Sequence, residues 1–207
     1  MRTVKQLVDI VTFLTSESRG RVNQMARRLM DDGLLPKSIG RDVKNVDSSA
    51  AFLPVFAIAF AKRAADASAV ANKIADLPLL TTITGPDELD LLKDPIAKQI
   101  GIHAGLPLAD VLGRFIASDT ALECHLEITR GDDERYGAAL KFAGEGDRYW
   151  SRLNFGHDHA QVGFTWQSFN MGPQGFNSMR TLFRANDPTD IPGFSDTASG
   201  GDGGGDG

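Results

Sequence analysis

Cysteine is almost missing from this chain: Cys124 is the single one in 207 residues. An internal disulfide is therefore impossible, and the composition fits a reducing compartment. Long apolar runs are missing too. The longest, Ala50 to Ala61, has 12 residues, whereas a membrane-spanning helix needs roughly 20. The opening Met1-Arg2-Thr3-Val4-Lys5 leads into a mixed polar and apolar pattern rather than the apolar stretch of a secretion signal. A soluble, cytoplasmic protein without a membrane partner is the expectation.

Ligand-rich and nucleophile-rich patterns are equally scarce. His157-Asp158-His159 is an incomplete metal set whose nearest supplement is Cys124-His125, and a turn with surface histidines is the simpler reading. Gly144-Glu145-Gly146 and Gly172-Pro173-Gln174-Gly175 match neither a P-loop nor a dinucleotide fingerprint. Glu123, Glu127 and Glu134 have no His, Cys or Ser partner spaced as a nucleophile and base. No enzyme, cofactor or metal site is expected.

What is present is charge asymmetry. The net charge of −5 argues at first against nucleic acid, but residues 1–63 carry 11 basic against 6 acidic side chains, a balance of +5. Residues 64–207 carry 11 against 21, a balance of −10. A basic head on an acidic body is the pattern.

Helical periodicity begins at once. Val4, Leu7, Val8, Val11 and Leu14 form one buried stripe over about Thr3–Leu14. Thr15-Ser16-Glu17-Ser18 interrupts it and offers capping hydroxyls. A second helix follows over about Arg19–Asp32, with Val22, Met25, Ala26 and Leu29 inward, Gly33 as its stop and Pro36 beyond. Lys37–Val46 reads as a basic hairpin or loop, and Asp47-Ser48 caps an apolar helix in which Pro54 marks the start or a bend. A further helix spans about Asp66–Leu77. The breaker-rich stretch to Gly105 reads as a connector with one short helix near Asp87–Leu92, before an amphipathic helix at Leu106–Ala117.

After residue 119 the period changes to that of strands: Leu122–Ile128, Tyr136–Ala143, Tyr149–Phe155 and Gln161–Phe169, four strands of a small antiparallel sheet. Phe176–Phe183 reads as a closing helix. From Asn186 the composition turns to Pro, Gly, Ser and Asp, as in a disordered tail.

The expected fold class is therefore α+β, with an N-terminal winged helix-turn-helix (about 1–65), a helical connector (66–118), an antiparallel β domain (119–185) and an acidic tail (186–207). Two short helices around a hydroxyl-rich turn, the second basic, have the layout that presents a polar helix face to the major groove. That face carries Arg19, Arg21, Asn23, Gln24, Arg27 and Arg28. Arg pairs bidentately with guanine, Asn or Gln with adenine, and Arg21, Asn23, Gln24 and Arg28 are the expected base readers. Lys37, Arg41 and Lys44 would hold phosphates as a wing.

Ala26-Arg27-Arg28-Leu29, then Gly33-Leu34-Leu35-Pro36, a basic wing and a capped helix resemble the winged helix-turn-helix of MerR-type regulators. The same order is still more similar to DNA-binding proteins encoded in prophage regions of alphaproteobacteria. The resemblance covers about residues 3–65. It implies sequence-specific binding of double-stranded DNA and transcriptional regulation of phage or mobile-element genes. The turn near Thr15–Arg19 is one residue longer than the tightest form; no long dimerising coiled coil follows either, and this second departure argues against MerR-style effector sensing and promoter untwisting. A homodimer is expected, since one small module reads too few base pairs. Two alternatives stand beside this reading: a small terminase-like packaging subunit, and a protein-interaction module using the aromatic β domain.

Overall fold

The computed structural model describes residues 3–38, 43–83, 100–118, 123–131, 134–143, 150–156 and 165–184. Its first helix, α1 (Val4–Thr15), starts on a reciprocal cap: the Gln6 amide donates to Thr3 Oγ1 at 3.3 Å, and the Thr3 amide donates to Gln6 Oε1 at 2.9 Å. Ser16 ends it in the left-handed region at φ 53°, and Ser18 caps α2 (Arg19–Asp31) by accepting from the Arg21 amide. Gly33, at φ 78°, closes α2. The Leu34 amide reaches back to the Leu29 carbonyl and the Gly33 amide to that of Met30, the paired bonds for which a left-handed glycine is preferred.

A turn of 3-10 helix (Ser49–Phe52), led in by Asp47 Oδ1 accepting from the Ser49 amide, runs into α3 (Leu53–Phe60). Pro54 lies in the first turn of α3, where its missing N–H costs nothing, so it marks a start rather than a bend. A second short 3-10 turn (Ala64–Asp66) precedes α4 (Ala67–Ala75), and α5 covers Leu108–Ala117.

Five strands form one antiparallel sheet in the order β1-β4-β3-β2-β5: β1 (Leu79–Ile83), β2 (Cys124–Gly131), β3 (Tyr136–Ala143), β4 (Trp150–Gly156) and β5 (Thr165–Met171). The closing helix, α6, spans Pro173–Arg184. The architecture is α+β. The sequence reading of four strands is corrected by β1, which lies within the presumed helical connector. Its backbone is claimed from two directions: β4 pairs along it, and the Leu79 amide and carbonyl bond to Leu106 and Gly105. The short helix expected at Asp87–Leu92 and the tail from Asn186 lie outside the described residues.

Period-two burial sets the sheet's two faces. Cys124, Leu126 and Ile128 of β2, Tyr136, Ala138, Leu140 and Phe142 of β3, and Leu153 and Phe155 of β4 are buried against the helices. Aromatic pairs stitch the layers: Phe115 of α5 meets Phe142 at 4.9 Å, Phe60 of α3 meets Tyr136 edge-on at 5.6 Å, and Phe52 meets Phe176 of α6 at 5.8 Å. On the opposite face Lys141 pairs with Glu127 at 2.7 Å. The apolar cluster runs from Leu7 to Leu182 and crosses the expected boundaries at 65 and 118, so α2 is mounted on the same core as the sheet. Gly113 is needed where α5 crosses the 3-10 turn, since a Cβ there would lie 2.7 Å from the Ser49 nitrogen.

Candidate nucleic-acid interface

Every basic residue expected on the reading helix lies on α2, so the geometry of that helix decides what each can do. Val22, Met25, Ala26 and Leu29 are all at or below 2% exposure, which fixes the rotation of the helix. At 100° per residue the stripe diametrically opposite consists of Gly20, Gln24, Arg27 and Asp31, all exposed. Arg21 and Arg28 fall on the flank toward α3, Arg19 and Asn23 on the flank toward α1.

The flanking cations are tied to neighbours. Arg19 pairs with Asp9 of α1 at 2.5 Å. Arg21 donates through Nη2 to the Ala61 carbonyl at the end of α3, at 3.3 Å, and lies 3.7 Å from Glu17. Its guanidinium thus braces α2 against α3 and meets the negative end of that helix. Arg28 pairs with Asp32 at 2.9 Å, one turn on, with nearly half of its side chain exposed. Lys37 folds back on Asp31 at 2.7 Å, and its ammonium holds the Asp31 carboxyl below the usual carboxylate range. Exposed pairs of this kind add little to stability, so they exchange readily for another anion.

Among the described residues Lys5, Arg27 and Lys44 have no ion-pair partner. Arg27 and Asn23 border a groove of about 450 Å³ between α1 and α2, rimmed by Lys5 and floored by Val8, Ala26 and Met30. Asn23 is half-buried there, while Gln24 stands clear on the crest. Lys44 is exposed, and its amide donates to Ser38 Oγ at 3.3 Å, which draws the two limbs of the loop together. Residues 36–38 and 43–47 carry no strand, and Arg41 lies outside the described residues.

Of the nine residues singled out from sequence, the eight that are described therefore divide. Gln24, Arg27 and Arg28 are presented outward together, and Lys37 and Lys44 lie in the loop beyond α2. Arg19, Arg21 and Asn23 are held at its edges. Sequence reasoning also missed a second basic group: Lys62, Arg63, Lys73 and Arg130 come together around one cleft beside α3. Lys62-Arg63 had a signal, a basic pair directly after the longest apolar run; Lys73 and Arg130 join them only through the fold.

No family model, curated protein or solved structure matches this chain. No described helix is long and apolar enough to cross a membrane, and no three described His, Cys, Asp or Glu residues gather as metal ligands.

Proposed function

We propose that the chain binds double-stranded DNA, with α1 and α2 as a helix-turn-helix and α2 as its reading helix. The observation that carries this reading is the open stripe of α2, where Gln24 and Arg27 stand outward over a fully buried opposite face. Gln matches the N6/N7 edge of adenine and Arg the O6/N7 edge of guanine. Arg28 lies on the flank of the same face, free to leave Asp32 for a base or a phosphate. Lys37 and Lys44, with Arg41 between them in sequence, serve as the phosphate-holding wing. Arg19 and Arg21 set the angle of α2 instead of reading bases, which refines the expectation drawn from sequence.

Regulation of transcription through a homodimer is the role that fits such a module, because two copies are needed to read a site of useful length. Selection from a random duplex pool, followed by sequencing, tests the proposal. A recovered motif is expected, and Gln24→Ala should relax it at one position without removing the rest. A pool that leaves selection with the composition it had on entry would overturn sequence-specific binding.

A further inference from the structure

The cleft beside α3 lies apart from the open stripe of α2, and its chemistry is independent of the reading helix. It has a volume of about 360 Å³ and lies between the α3–α4 junction and the β2–β3 hairpin. Its floor is apolar and closed: Phe60 and Tyr136 are 2% and 5% exposed and meet edge-on. Four cations ring it, Lys62, Arg63, Lys73 and Arg130, against two carboxylates, Asp66 and Glu134. The local balance is thus +2 in a protein whose net charge is −5.

We propose that this cleft is an anion site that takes a phosphate ester, held by Lys62 and Lys73 with Arg63, Arg130 and the Tyr136 hydroxyl around it.

The two carboxylates do not saturate the cations. Arg63 spends Nε and Nη2 on Asp66, at 3.1 and 3.2 Å, and keeps its remaining N–H donors. Arg130 spends one nitrogen on Glu134 at 2.8 Å, with its guanidinium carbon 5.9 Å from the centre of the Tyr136 ring. These contacts orient both guanidinium groups, so their free donors are already placed. Lys62 and Lys73 are exposed and have no ion-pair partner among the described residues. Burial raises the Tyr136 hydroxyl above the ordinary phenol range, so it stays a proton donor at neutral pH. Ammonium, guanidinium and phenol donors around a low-dielectric floor suit a tetrahedral phosphate, with its several acceptor oxygens, better than a lone carboxylate.

A phosphate ester has two sources: the backbone of a duplex, or a free phosphorylated small molecule. Lys62 directly follows Ala61, whose carbonyl Arg21 of α2 engages. Lys62, at the rim of the cleft, is therefore one residue in sequence from the α2 contact.

Calorimetric titration of the full chain with inorganic pyrophosphate at low ionic strength tests the site. The wild type should bind, and Lys62→Ala/Lys73→Ala should weaken binding roughly tenfold or more, since each removes a charge-assisted contact. Both side chains are exposed, so the variant should fold; Tyr136→Phe, nearly isosteric, should give a smaller loss. No heat from the wild type, or equal binding by the double variant, overturns the proposal. The same variant on a duplex identifies the source. A salt slope shallower by about 2 points to backbone phosphate, and an unchanged duplex affinity beside lost pyrophosphate binding points to a free ester. Pyrophosphate binding without any duplex binding would leave the cleft standing and remove the DNA reading.

Discussion

Arg21 and Arg27 have the same charge, lie on the same helix, and should behave in opposite ways when cut back to alanine. Arg21 donates to the Ala61 carbonyl across 40 residues of sequence, at 3.3 Å. A bond to a carbonyl from a charged donor contributes about 1 kcal/mol net when partly solvated, and a cation at a helix C-terminus adds roughly 0.3–1 kcal/mol. The 3.7 Å approach to Glu17 is an exposed pair and adds little. Arg21→Ala should therefore cost about 1–2 kcal/mol, which for a chain of this size lowers Tm by roughly 2–8 °C. Arg27 has no such partner, so Arg27→Ala should stay within about 0.5 kcal/mol of the wild type. Duplex affinity should reverse the order, with Arg27→Ala losing roughly tenfold as a base contact worth about 1–3 kcal/mol is removed. Thermal unfolding followed by circular dichroism, beside fluorescence anisotropy on a duplex, reads both quantities. Equal Tm losses, or an Arg27→Ala protein that unfolds earlier than Arg21→Ala, would refute the division between bracing and reading residues.

Two further predictions concern the frame that holds α2. Gly113→Val should destabilise by about 1–3 kcal/mol or more, because its Cβ meets backbone rather than flexible side chains, at 2.7 and 2.9 Å from the Ser49 nitrogen and Cα; a denaturation midpoint unchanged from wild type would contradict the close crossing. Burial pushes the Cys124 thiol from 9.0 up to about 12. The folded protein should then resist a thiol reagent at pH 8 until denaturant is added, and prompt labelling of the native state would count against the buried position. Because the neutral thiol is favoured in the fold, its contribution to stability is complete below pH 9 and declines as pH rises from 9 toward 12, by up to about 4 kcal/mol.

Local chemistry made most of the helices legible. The α1 and α2 stripes and Gly33 as a left-handed stop are short-range signals, and the structure places each within a residue or two of its expected position, whereas Pro54 read equally as a start or a bend until the fold placed it in the first turn of α3. Strand β1 was hidden for a corresponding reason. Leu79–Ile83 stands among prolines and glycines, and what makes it a strand is β4, some 70 residues later in the chain. The interface followed the same rule. Which residues are basic could be read directly, but the pairings that divide them could not. Arg19 with Asp9 and Arg21 with Ala61 depend on how α1, α2 and α3 pack. The cleft of Lys62, Lys73 and Arg130 depends on sheet and helices together.

Duplex binding through α2 and its loop is read out by the salt dependence of affinity for mixed-sequence duplex DNA. Arg27, Arg28, Lys37 and Lys44 are the four described cations of that surface. On a mixed-sequence duplex, which offers Arg27 no fixed guanine to read, all four rest on phosphate, and four such contacts give a slope of about −3.6 in log affinity against log salt, or a loss of roughly 100-fold between 50 and 200 mM. The wild type should show that slope, and Arg27→Ala/Arg28→Ala a value about 1.8 shallower with at least tenfold weaker binding. A wild-type protein that fails to bind the duplex even at low salt, or a double variant that binds with the wild-type slope, would contradict duplex binding through this surface.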